Sequence, residues 1–193
     1  MLTRKRRSSR FINAQRRCGS VMAEAPAAIW IVFVGIGLPL IILASLALRF
    51  GLFWEAAKQA AQVSCQAQTF QANPAFPANA LSASNSAYIT ANNTIQAVGG
   101  CSLNQVNVYI GSTPMNSLTT TWLNAGAPNQ PISPSLIDTD QNVYSIKVVL
   151  VGQVNPLITF NLPYFGNIPG ITQPLPASVA EERVFENPMG LSQ

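Results

Sequence analysis

The sequence predicts an α+β protein in which a long N-terminal transmembrane helix extends into a small exported domain with an antiparallel β-sheet. Three observations predict it. Ala25 to Leu48 is a run of 24 residues without a charge. As a helix that run is about 36 Å long, enough to cross a hydrocarbon core of about 30 Å. The next segment is rich in good helix formers, with apolar residues every three or four positions. From Gln105 onward the apolar period falls to two, the repeat of a strand with one buried face. The expected organisation is a basic cytoplasmic leader (1–19), a transmembrane helix (20–48), an exported continuation of that helix (49–72) and a small α+β exported domain (73–193).

The leader carries most of the positive charge. Seven of the eleven basic residues are Arg4, Lys5, Arg6, Arg7, Arg10, Arg16 and Arg17. The four beyond Gly19 (Arg49, Lys58, Lys147, Arg183) face seven carboxylates, a balance of −3. A basic cluster ending just before a span sets topology, with the positive side held in the cytoplasm and residues 49 to 193 exported. Nucleic acid is therefore not the expected partner. No apolar segment precedes Gly19, which excludes an ordinary secretory signal peptide. Ala14-Gln15-Arg16-Arg17 likewise lacks the apolar lead-in that would make Cys18 a lipoprotein cysteine.

Within the span, Ile29-Trp30-Ile31-Val32-Phe33-Val34 and Leu38 to Leu48 offer apolar surface on every face, unlike a soluble amphipathic helix. Pro26 suits a first helical turn. Pro39 lies mid-span, where it removes one backbone hydrogen bond and should bend the helix, with Gly35 and Gly37 easing the fit. Glu24, at the head of the run, is favoured there by the helix macrodipole by a few tenths to about 1 kcal/mol.

Beyond the span, Phe50, Phe53 or Trp54, Ala57, Ala61 and Cys65 form a stripe on which a domain can pack, and Trp54 and Arg49 suit the outer interface. Asn73-Pro74 and Phe76-Pro77 should stop this helix. Ser84 to Val98 is a second helix candidate closed by Gly99-Gly100, with a loop as the alternative. Val106 to Ile110 and Val143 to Val151 read as strands. Between them, residues 111 to 142 form an excursion loop or extra hairpin, with a possible short strand at Thr119 to Leu123. Pro163-Tyr164-Phe165-Gly166-Asn167-Ile168-Pro169-Gly170 is a connection, and Ile171 to Phe185 should return as the last strand. Tyr164 and Phe165 suit either a contact patch for another component or cover for the sheet.

Little chemistry is encoded. The chain has no histidine, which removes the commonest general base and metal ligand. Asp138-Thr139-Asp140-Gln141-Asn142 has the oxygen spacing that opens a calcium loop. However, Val143 stands where the glycine is required and Val149 where the closing glutamate belongs, so a turn is expected. No phosphate loop, Cys-x-x-Cys pair or catalytic triad is present. Neither a catalytic, cofactor or metal site nor a small-molecule substrate is expected, and an enzyme is not the reading. Cys65 and Cys101 fall on the exported side. There an oxidising compartment would let them pair, closing a loop of about 35 residues worth about 3 to 4 kcal/mol; two small buried thiols are the alternative.

A short basic leader ending in Gly19, a small residue at Ser20, a carboxylate at Glu24 and an apolar helix directly following resemble the processing motif of type IV pilins and pseudopilins. Phe50-Gly51 followed by Glu55-Ala56-Ala57-Lys58-Gln59-Ala60-Ala61 is similar to the post-membrane helix of TadE-like pseudopilins of tight-adherence (Flp) pilus systems. The alternating strand, Pro/Gly/aromatic connection and final strand ending in Glu181-Glu182-Arg183 resemble the same family. That resemblance implies cleavage by prepilin peptidase between Gly19 and Ser20. It also implies an assembly role for Glu24, neutralising the new amino terminus of a neighbouring subunit, whose pKa lies near 8. The implied function is structural: a minor pseudopilin in the bacterial inner membrane that joins other pilus or secretion components. The alternative is an uncleaved single-pass protein whose exported domain binds a partner in an envelope secretion complex.

Overall fold

The computed structural model describes residues 24–71, 82–157 and 168–193. The chain divides into two compact units, 1–44 and 45–193. Among the described residues, one helix, α1 (Glu24–Cys65), is long and apolar enough to cross a membrane. In the first unit most of its side chains point outward: Ile29, Trp30, Ile31, Val32, Phe33 and Ile36 are each more than half exposed, whereas Ile42 is buried. Phe33–Gly37 is a π-helical turn, closed by Leu38 N–H donating to Phe33 O. It sits just before Pro39, whose ring cannot fit against an α-helical carbonyl four residues earlier. The widened turn is how the helix passes the proline.

In the second unit, α1 buries Phe53, Ala56, Ala57, Ala60, Ala61, Ser64 and Cys65. Those positions recur at three and four residues and form one face. Phe50 and Trp54 fall outside it, 40% and 47% exposed. Helix α2 (Ala83–Val98) presents its own small-residue stripe, Ala83, Ala87, Ala91 and Ile95. Ser64 Oγ of α1 lies 3.0 Å from Ala83 O, and Thr94 Oγ1 lies 3.1 Å from Gln59 Oε1, so the two helices run in opposite senses. Gly99 and Gly100, at φ of 68° and 72°, end α2 in the left-handed region that favours glycine.

Four antiparallel strands follow: β1 (Cys101–Pro114), β2 (Thr121–Trp122), β3 (Asn142–Val154) and β4 (Leu175–Val184), in spatial order β2-β1-β3-β4. The class is therefore α+β. Val106, Val108 and Ile110 of β1 face the core with Tyr144, Ile146, Val148 and Leu150 of β3. Asn104 bulges from β1, because Leu103 pairs with Gly152 while Gln105 pairs with Val151. Phe185 N donates to Tyr144 O, so odd residues of β4 direct their N–H groups to β3. Pro176 then falls where a missing N–H breaks no ladder bond.

The excursion between β1 and β3 covers a sheet edge. Beyond the two β2 pairs, the outer edge of β1 is met by two asparagine side chains. Asn124 Oδ1 accepts from Ile110 N at 2.7 Å and its Nδ2 donates to Val108 O and Gln130 O. Asn129 Oδ1 accepts from Val108 N at 2.8 Å while its Nδ2 donates to Val106 O. They stand in for the fifth strand that the edge would otherwise recruit.

Element bounds differ from the sequence expectation in three places. Helix α1 ends at Cys65 rather than near residue 72, because Gln66–Gln71 is bonded elsewhere: Glu186 N donates to Cys65 O, Phe70 N to Gly190 O and Gln71 N to Gln193 O. The final strand begins at Leu175, since Ile171 and Thr172 N–H groups turn back onto Ile168 O. Strand β1 starts five residues before Val106, carried by pairing with β3 through polar residues that do not alternate. Asp138 makes the expected turn, its Oδ1 accepting from Asp140 N and Gln141 N.

Candidate functional site

The residues singled out in the sequence lie along α1 and its junction with the sheet. Gly19 and Ser20 lie outside the described residues, as do Tyr164 and Phe165. Glu24 opens α1 and is exposed. After it come turns of Ile, Val, Leu and Phe whose side chains are mostly exposed, with Trp30 and Phe33 packed edge to face at 6.3 Å. Ala28, Ile29, Val32, Phe33, Ile36 and Gly37 line a shallow apolar hollow of about 520 Å³ beside the π-turn. Such a surface is stable in hydrocarbon and costly in water.

Where α1 enters the second unit, polar side chains fasten it to both margins of the fold. Arg49 Nη1 donates to Asn155 O at 2.5 Å, just past the end of β3, and its guanidinium packs over Gly100. Trp54 Nε1 donates to Glu181 of β4, and Lys58 Nζ stacks 4.8 Å from the Trp54 ring centroid. On the other side of the sheet Ser145 Oγ donates to Glu182 at 2.6 Å, and Lys147 Nζ covers the Trp122 ring at 4.9 Å. These contacts tie the helix to β4 and to the residues that flank β1 and β3.

The expected Cys65–Cys101 disulfide is not formed: both cysteines are free thiols. Cys101 Sγ lies 3.7 Å from Arg49 O, whereas Cys65 ends the helix 16 residues later, about 24 Å along its axis. A disulfide needs Cα atoms within about 7 Å. Although both lie in the part expected to be exported, α2 runs back along α1 and carries Cys101 to the opposite end of that helical segment. Burial pushes both thiol pKa values up, with Glu186 adding to the effect at Cys65 and Arg49 opposing it at Cys101.

Among the described residues, no three His, Cys, Asp or Glu side chains converge on a possible metal position. Two features escaped sequence reasoning. One is the pair Asn124 and Asn129, whose only sequence signal was asparagine in a turn-rich stretch. The other is a polar cleft of about 440 Å³ lined by Gln71, Ser82, Ser84, Asn85, Tyr88, Val106 and Asn129. Its residues come from four separate segments and share no motif. Comparison with known proteins finds no matching family model, no matching curated protein and no matching solved structure.

Proposed function

We propose that this chain is a structural, membrane-anchored subunit of the TadE-like pseudopilin kind, cut between Gly19 and Ser20 by prepilin peptidase and contributing to a tight-adherence pilus. The observation that carries the reading is α1 itself. One helix opens with Glu24, continues through 24 uncharged residues whose large apolar side chains are mostly exposed, and then changes to the alanine-rich stripe that packs the α+β unit. A subunit that waits in a bilayer and is later withdrawn from it needs such a helix. It also needs a carboxylate at the head of the span, where burial against a neighbour's protonated amino terminus would offset desolvation of both charges. In this reading the basic leader faces the cytoplasm and residues 49 to 193 are exported.

Pro26 favours a second reading. Ala25-Pro26 follow Glu24 where the pseudopilin family usually has an aromatic or bulky residue. That suits an uncleaved anchor whose exported domain binds an envelope secretion complex. Intact mass of membrane-extracted protein, with and without co-expressed prepilin peptidase, separates the two. Loss of residues 1 to 19, abolished by Gly19→Ala, is the expected result. A full-length mass in the presence of active peptidase would refute the pseudopilin reading.

A further inference from the structure

The polar cleft at the start of α2 has a chemistry that the assembly reading does not use. Among the described residues, its lining contains no Asp, Glu, Lys or Arg. An anion or a cation would therefore be desolvated there without a counter-charge. A hydrocarbon ligand would separate Ser84 and Asn85 from water with nothing in exchange. At about 440 Å³ the cleft lies within the size range of small-molecule sites, roughly 300 to 1,000 Å³.

The walls are fixed and the remaining polar groups are open. Asn129 spends its side-chain amide on Val106 O and Val108 N, and Gln71 Nε2 donates to Asn129 O at 2.7 Å. The first turn of α2 is held because Ala83 N donates to Thr69 O and Ser84 N to Phe70 O. By contrast, no side-chain hydrogen bond among the described residues engages Ser84, Asn85 or Tyr88. Ser82 is 2% exposed, and its buried Oγ has no hydrogen-bond partner. It is also the N-cap residue of α2, yet it makes no side-chain cap bond. An orphan hydroxyl of this kind is rare in a folded protein and calls for a cause.

We infer that the cleft formed by Ser82, Ser84, Asn85 and Tyr88 binds a neutral polyhydroxylated ligand, a saccharide. Sugar hydroxyls both donate and accept, as serine hydroxyls and the asparagine amide do. The apolar C–H face of a pyranose would lie against the Tyr88 ring, which is 54% exposed beside the cleft.

The test uses the full chain in lipid nanodiscs, since glycoside detergents would compete for the site. Saturation-transfer NMR is run with D-glucose and N-acetyl-D-glucosamine, against cyclohexanol and inorganic phosphate as apolar and anionic controls. Millimolar binding of at least one sugar is expected, weakened about tenfold by Asn85→Ala and by Tyr88→Ala. Both side chains are exposed, so both variants should keep the parent's circular dichroism. Ser82→Ala should weaken sugar binding while raising the thermal midpoint, because it deletes an unpaired buried hydroxyl. The inference is overturned if neither sugar shows transfer, if cyclohexanol or phosphate binds as well as the sugars, or if the Asn85 and Tyr88 variants bind undiminished.

Discussion

Replacing Asn124 with alanine tests whether the β1 edge is held by side chains rather than by a strand. Asn124 is 7% exposed and makes three bonds. Val108 O keeps its second donor, Asn129 N at 3.0 Å, and Gln130 O belongs to an exposed residue and can turn to water. The stranded group is Ile110 N–H, in a residue with no exposed surface. An unpaired buried donor costs about 1 to 3 kcal/mol. With the small cavity left behind, the loss should reach about 2 to 3 kcal/mol. For a chain of this size that lowers the thermal midpoint by about 5 to 10 °C. Thermal unfolding in nanodiscs measures the shift, and amide exchange at Ile110 should accelerate with it. A shift below about 2 °C with unchanged exchange would refute the argument. Asn124→Asp adds a check with a sign. It keeps the acceptor for Ile110 N but points carboxylate oxygen at two carbonyls, raising the folded-state pKa above the unfolded value near 4. Its stability should be greatest below that unfolded value and fall as pH rises through the folded one.

Other perturbations follow from close approaches. Gly152→Ala would drive a methyl group into Ser102 O and within 3.0 Å of the Phe53 ring. Since the oxygen is backbone and cannot step aside, a loss above about 3 kcal/mol is expected, read as loss of folded yield. Gly100→Ala meets only the flexible end of Arg49, at 2.5 Å, but at φ of 72° it adds left-handed strain. A cost of about 1 to 2 kcal/mol is expected, measured by thermal unfolding. Cys65 and Cys101 should label slowly with iodoacetamide at neutral pH, and reductant should leave both electrophoretic mobility and midpoint unchanged; a reductant-sensitive midpoint would contradict the free thiols. Because both folded thiol pKa values are raised, the stability they confer is present below the unfolded value near 8.5 and is lost as pH rises through the folded values. Cys65→Ala should flatten that alkaline loss.

What was legible depended on whether one element carried its own signal. Ala25 to Leu48 is readable because a spanning helix needs nothing from the rest of the chain. Val143 to Val151 alternates because it is the central strand with one face on the helices, and it appears inside β3 with three more residues at its C-terminal end. Helix α2 was readable from its glycine stop. The end of α1 was not, since Gln66–Gln71 is drawn out of helix by partners more than a hundred residues away, at Glu186, Gly190 and Gln193. The cysteine pairing failed for the same reason: loop length says nothing about which end of a helix the chain returns to. The cleft was invisible because Gln71, Ser82 to Tyr88 and Asn129 meet only after α2 and the edge cover are in place.

The two halves of α1 show why composition alone marks a change of solvent. From Ile29 to Ile41 the helix carries large apolar side chains that are mostly exposed and lose nothing by facing hydrocarbon. From Phe53 to Cys65 one face is almost wholly alanine, and α2 answers it with Ala83, Ala87 and Ala91. Alanine buries little area, so the face gains little from the hydrophobic effect per residue. What it permits is close backbone approach, close enough for Ser64 Oγ to reach Ala83 O on α2, and for the Phe53 ring to meet the sheet at Gly152. Ala87→Leu would therefore be costly here, about 1 to 3 kcal/mol, although the residue becomes more apolar. The corresponding change in the span, Ala44→Leu, should leave the second unit's thermal midpoint unchanged. If both changes were equally tolerated, the distinction between a packed face and a solvated one would not hold.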